Sequence, residues 1–137
     1  MMIGVQSEAI ETDAVLAAVE GASEGGVVLF LGRVRDHARG RGVTHLDYEA
    51  YAPMAESELR ALAEEARAQH GAARVALVHR TGRLEPGEVA VAIAVASAHR
   101  AQAFAACSWL IDRVKERVPI WKQEWYADGS QWISDRP

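Results

Sequence analysis

Between one helical stretch and the next, this chain places two strand-like runs rather than one, and that rhythm constrains its fold more than any other feature. Two consecutive strands can be closed by a tight turn and pair antiparallel, whereas single strands alternating with helices build a parallel, doubly wound sheet. Three helices are predicted. The first covers 12–20, with Thr12 as N-cap, Asp13 in the first turn and Gly21 behind it. The second starts at Pro53, carries Ala55, Leu59, Leu62 and Ala66 on one side, runs to about residue 70 and closes at Gly71. The third covers 98–118, capped by Ser97 and stopped by Pro119. Its residues Phe104, Cys107, Ile111, Val114 and Val118 step by three and four, as a buried helix face requires.

Strands are predicted over 27–31, behind Gly25 and Gly26, and over 43–51, where Leu46, Tyr48 and Ala50 share one face. Others cover 74–80, 89–96, 120–126 and 131–133, the last two joined by an Asp128-Gly129 turn. Glu85-Pro86-Gly87-Glu88 forms another turn. Residues 32–42 show no periodicity and read as a basic loop. The expectation is an α+β fold with a largely antiparallel sheet, in a single domain over 1–137. Half of the residues are hydrophobic, enough to fill one core without disulfides.

A net charge of −4 argues against a general nucleic-acid binder, which needs an overall attraction for a polyanion. Basic residues nevertheless cluster at Arg33, Arg35, Arg39 and Arg41, and again over 113–122. Local positive patches on an acidic chain suit a small anionic ligand or an acidic partner. The single Cys107 permits no disulfide within one chain, and its place on the apolar stripe of the third helix makes it a packing residue. The five histidines share no ligand spacing, so no metal site is expected. With no secretory pattern and no apolar run of membrane-spanning length, the expected setting is cytoplasmic, with no membrane contact.

The chain has thirteen arginines and only two lysines, Lys115 and Lys122. Codon bias explains the scarcity, but it also makes the two survivors informative. Arginine replaces lysine wherever charge alone is wanted, yet it cannot act as an amine nucleophile or a proton shuttle. Lys115 lies at the edge of the apolar stripe, where partial desolvation would free its amine; the alternative is a cation complementing the helix C-terminus. Lys122 shares a strand face with Ile120 and Glu124, so it is either a surface lysine paired with Glu124 or a second functional amine. His99 and Arg100 open the third helix, where cations are normally unfavourable. They are either solvated or part of an anion site built with the free backbone N–H groups. Arg33-Val34-Arg35, just past a buried strand, offers further anion contacts or is a solvated loop.

Five segments then resemble one family, in order and over nearly the whole chain, from about residue 25 to 132. They are Gly32-Arg33-Val34-Arg35-Asp36, Leu46-Asp47-Tyr48-Glu49-Ala50-Tyr51, His79-Arg80-Thr81-Gly82-Arg83-Leu84, Ser97-Ala98-His99-Arg100 with Ala103-Phe104, and Lys115 with Pro119-Ile120-Trp121-Lys122-Gln123-Glu124. Each alone is weak, but five in register are specific. They are similar to the large, catalytic subunit of molybdopterin synthase.

The resemblance implies an α/β hammerhead-type fold and a sulfurtransferase of molybdenum cofactor biosynthesis that converts cyclic pyranopterin monophosphate to molybdopterin. It implies that sulfur arrives on the C-terminal Gly-Gly thiocarboxylate of a small ubiquitin-like partner, within a heterotetramer built on a homodimer. It makes Lys115 and Lys122 the catalytic pair and Arg33, Val34, Arg35, His99, Arg100, Gln123 and Glu124 the substrate-binding set. No cofactor is implied, and Cys107 is not required because the sulfur comes from the partner.

Arg100 and Lys115 lie fifteen residues apart on one helix, roughly 22 Å by the helical rise. One small pterin could hardly touch both, so a composite site is expected, with His99 and Arg100 supplied by a second copy of the chain. Two rivals stand beside the enzyme: a phosphate- or nucleotide-sensing module using the same basic pocket, and a scaffold that only docks the ubiquitin-like protein. In a sensor, Lys115→Arg would keep full function.

Overall fold

The alternating large and small residues of two central strands determine how the layers of this protein stack. The computed structural model describes residues 1–134. In chain order the elements are β1 (Ile3–Gln6), α1 (Thr12–Ala17), β2 (Gly26–Arg33), β3 (His37–Ala38), β4 (Arg41–Ala50), α2 (Ala52–Gln69), β5 (Arg74–Arg80), β6 (Gly82–Leu84), β7 (Val89–Ser97), α3 (Arg100–Arg117), β8 (Ile120–Tyr126) and β9 (Gln131–Ser134).

One sheet has the order β1-β5-β7-β2. On β5 and β7, Val75, Leu77, Ile93 and Val95 face one way and pack with Leu59 and Leu62 of α2 and Cys107 and Leu110 of α3. The residues between them, Ala76, Val78, Ala92, Ala94 and Ala96, face the other way and meet Val15 of α1 and Val19 just past its end. Period-two alternation therefore gives each face its own partner: branched side chains under two long helices, mostly alanines under a six-residue one. The second sheet runs β3-β4-β8-β9, with β6 also paired to β4. The α+β class and the largely antiparallel pairing are as expected; the parallel exception is β1 on β5.

Several local expectations are corrected. β1, β3 and β6 are four, two and three residues long, too short to carry a period. The basic segment over 32–42 is not all loop. β2 continues to Arg33, and a hairpin turns at Arg39 (φ 54°) and Gly40 (φ 73°) before β4 starts at Arg41. Thr12 is the first helical residue of α1, and neither Glu11 nor any other side chain caps that helix. Ser97 is buried at the end of β7, and α3 begins after His99, again with no side-chain cap bond.

The buried face of α3 is Ala103, Ala106, Cys107, Leu110 and Val114, and Phe104 is 63% exposed. The helix lies against β2 and β7, and at its start the backbones come too close for a bulky residue. A Cβ on Gly26 would sit 2.7 Å from the backbone nitrogen of Arg100. Only glycine fits that contact; Phe104, one turn further on, stands on the exposed side of the helix while its neighbour Ala103 takes the buried side. No helix among the described residues is long and apolar enough to cross a membrane.

Candidate active site

Where β2, α3 and β8 meet, the structure opens a cavity of about 290 Å³. Its apolar wall comes from Phe30, Val91, Ile111 and Val114, and its basic groups are Arg33, Arg35, Lys115 and Lys122. Among the described residues no carboxylate lines it. Four cations surround one small space and Glu124, behind Lys122, offsets only one of them, so the space keeps a positive surplus that an anion relieves.

Each basic group is placed by its element. The β2–β7 register shifts between Gly32 and Arg33, a bulge that re-aims the end of the strand. Val34 is then held on both sides, its N–H donating to Glu88 carbonyl oxygen at 2.9 Å and its carbonyl accepting from Gly87 N–H at 2.7 Å. Its side chain is buried in the core. With Val34 turned inward, Arg33 and Arg35 both reach the cavity. Val34 therefore packs in the core, although it also lines a smaller adjoining space of about 70 Å³.

Lys115 sits in the last turn of α3, one residue past buried Val114. Its position at the edge of the packed face is as expected, but the residue is exposed in the single chain, so desolvation of its amine requires a cover. Lys122 stands on β8 opposite Tyr48 of β4, and its side chain is 22% exposed. Its Nζ lies 3.3 Å from Oε1 of Glu124. The pairing expected of an inert surface lysine is therefore present, yet it occurs at a half-buried position on the cavity wall.

Glu124 is buried and also accepts a 2.6 Å hydrogen bond from the Tyr126 hydroxyl. It lines the smaller space, not the main cavity. Gln123, its neighbour in sequence, points to the opposite face of β8, beside Asp47 and Trp121, where its amide bonds to Gln131. As the chain stands, Gln123 does not reach the lysines. His99 and Arg100, both exposed, border a separate depression with Gly25 and Ala98 at the far end of α3. That depression shares no lining residue with the lysine cavity.

Two residues of the wall were not singled out from the sequence. Tyr48 and His79 line the cavity and meet edge to face, with ring centroids 5.1 Å apart. His79 Nδ1 is 2.8 Å from the Arg80 carbonyl oxygen, which can only accept, so Nδ1 carries the hydrogen and Nε2 is the acceptor. Burial pushes the imidazole down to about 4 and the Tyr48 hydroxyl, with help from Glu124, up to about 12. Both are therefore neutral at pH 7. Both stand in segments that carry the family resemblance, and alternation places Tyr48 on the inner face of β4 and His79, after Val75 and Leu77, on the inner face of β5.

Burial also raises the Cys107 thiol to about 11, which keeps it unreactive inside the core. Among the described residues no three His, Cys, Asp or Glu side chains come together so as to hold a metal ion.

The family model described as MoaE protein matches residues 5–117. The chain is 45% identical over 128 residues to molybdopterin synthase catalytic subunit 1 of Mycobacterium tuberculosis, covering 93% of this chain and 87% of that one. It is 42% identical over 127 residues to the molybdopterin synthase catalytic subunit of Bacillus subtilis, covering 93% and 81%. Its structure superimposes on a chain of the crystal structure of molybdopterin synthase from Staphylococcus aureus with a TM-score of 0.89 at 37% identity, covering 96% of each. With sequence, fold and the ordered motifs in agreement, this chain belongs to the MoaE protein family.

Proposed function

We propose that this chain is the catalytic subunit of a molybdopterin synthase, converting cyclic pyranopterin monophosphate to molybdopterin. The observation that carries the reading is the meeting of both lysines of the chain with Arg33 and Arg35 around one cavity that no carboxylate lines. In this reading Arg33 and Arg35 attract the phosphate, and Tyr48 and His79 give the pterin neutral hydrogen-bonding partners. The thiocarboxylated Gly-Gly tail of a small ubiquitin-like subunit enters beside exposed Lys115 and excludes water from it. An ammonium group aimed at the carbon–oxygen bond being replaced polarises that bond and protonates the departing oxygen as sulfur attacks. His99 and Arg100 come from the second copy of the chain, within a heterotetramer built on a homodimer. The reading treats residues 1–137 as one domain and keeps the cytoplasmic setting.

The decisive assay mixes the purified chain with a thiocarboxylated partner and the cyclic pterin and follows dithiolene product. Lys115→Arg, which keeps charge but removes a titratable amine, is expected to lose roughly 100-fold or more in turnover with folding intact. Full activity in that variant would favour a charge-only sensing module.

A further inference from the structure

Glu124 is a carboxylate in the wrong place unless something holds it there. It is only 5% exposed, and a buried carboxylate is costly unless its oxygens are satisfied. The structure divides the two oxygens. Oε1 faces Lys122 Nζ at 3.3 Å, and Oε2 accepts from the Tyr126 hydroxyl at 2.6 Å. A third group already shares Oε2: the Arg39 guanidinium, seated 3.5 Å from the Trp132 ring centroid, pairs with it through Nε at the longer distance of 3.8 Å. Lys122, Glu124 and Tyr126 are alternate residues of β8 and so share one face of the strand.

We propose that Tyr126 is a positioning residue for Lys122, acting through Glu124. A carboxylate with one oxygen pinned cannot turn about its terminal bond, so the other oxygen stays aimed at the lysine. Without that hydroxyl, Glu124 can rotate toward Arg39, whose planar fork matches both carboxylate oxygens, and Lys122 loses its anchor. Lys122 is a long side chain with several rotatable bonds, and an unanchored amine spends little of its time in a reactive geometry. Tyr126 is itself fixed. It is 3% exposed, its N–H donates to the Ser130 carbonyl at 2.9 Å, and its own carbonyl accepts from Gly129 N–H at 3.1 Å. Burial first, and then Glu124, raise its hydroxyl above the usual phenol range, so it remains a protonated donor at neutral pH. On this account Glu124 holds the lysine rather than the pterin.

The role of Lys122 in turnover rests on the synthase reading, but its anchoring can be measured without partner or pterin. The chain has only two lysines, so protein labelled with carbon-13 at the lysine ε-position gives two signals, with Lys115 as the internal control. Tyr126→Phe is expected to move the Lys122 signal, leave the Lys115 signal in place and cause only a small fall in Tm. In the dithiolene assay it is expected to lower kcat about tenfold, the weight of one hydrogen bond to a charged group, with KM changed by less than about twofold. Adding Arg39→Gln removes the competitor for Glu124 and is expected to return the Lys122 signal toward its wild-type position. An unmoved Lys122 signal in folded Tyr126→Phe protein, or equal displacement of both lysine signals, overturns the proposal. Should Tyr126→Phe not fold, Glu124→Gln is the second variant: it preserves the shape and removes the charge, and a stationary Lys122 signal there overturns the proposal equally. If wild-type protein makes no dithiolene, the synthase reading fails while the two lysine signals still decide the anchoring.

Discussion

At the scale of single residues, the cavity combines charges that want an anion with two groups that burial keeps neutral. His79 is the sharper case because its neutrality is tied to the stability of the fold. Its imidazole titrates near 6.5 in the unfolded chain and is pushed down to about 4 in the folded one. Between those values the unfolded chain binds a proton that the folded chain refuses, so stability falls as pH falls from about 6.5 toward 4. For an almost wholly buried group the loss by pH 4.5 is about 2–3 kcal/mol. Urea unfolding between pH 7 and 4.5 is expected to show that slope, and His79→Leu should flatten it; parallel slopes in the two proteins would remove His79 from the account. The two lysines stand out in the sequence among thirteen arginines, and the fold brings both to one cavity. Gln123 faces away from the lysine cavity because the motif from Lys122 to Glu124 runs through consecutive residues, whereas a strand turns every second one away. Tyr48 and His79 looked like ordinary inward-facing strand residues, and alternation cannot tell a core from a cavity wall.

At the scale of elements, the stop of α3 was easy to read and its start was not. Pro119 gives a chemical stop, and the helix does end at Arg117. Its start is governed instead by a tertiary contact, the passage of the α3 backbone over Gly26 of β2, which no local capping pattern announces. The same contact fixes His99 and Arg100 at the helix entrance. Gly26 pairs with Ser97 across the sheet, so both ends of the junction are held. Gly26→Ala would drive a methyl group to 2.7 Å from backbone, which cannot yield as a side chain tip could. A loss of about 1–3 kcal/mol in unfolding free energy is expected. The displacement should show as altered amide signals for residues 99–101, while the Lys115 and Lys122 signals stay where they are. Unchanged stability in Gly26→Ala would mean that the helix entrance is looser than its geometry implies.

At the scale of the whole molecule, one helix separates the two halves of the predicted anion site. Lys115 and Lys122 share a cavity with Arg33 and Arg35, while His99 and Arg100 border another depression roughly 22 Å away along α3. Within one chain the second pair cannot assist the first. A two-fold dimer solves this if it brings the α3 start of each copy to the lysine cavity of the other, giving two identical composite sites. Such an arrangement makes a quantitative demand on mixtures of variants. Arg100→Ala and Lys115→Ala should each be nearly inactive alone, because each spoils both sites of its own dimer. After co-refolding in equal amounts, half of the dimers are mixed, and each mixed dimer carries one intact site and one doubly damaged site. About a quarter of wild-type turnover should return, the statistical yield of a symmetric two-site dimer. The same mixture of Lys115→Ala with Lys122→Ala should recover nothing, since those two residues line the same cavity of the same chain and every site retains one defect. Recovery in the first mixture without recovery in the second would distinguish sharing across the dimer from a general rescue of folding. Equal failure of both would mean that Arg100 and Lys115 do not meet across the dimer in one site.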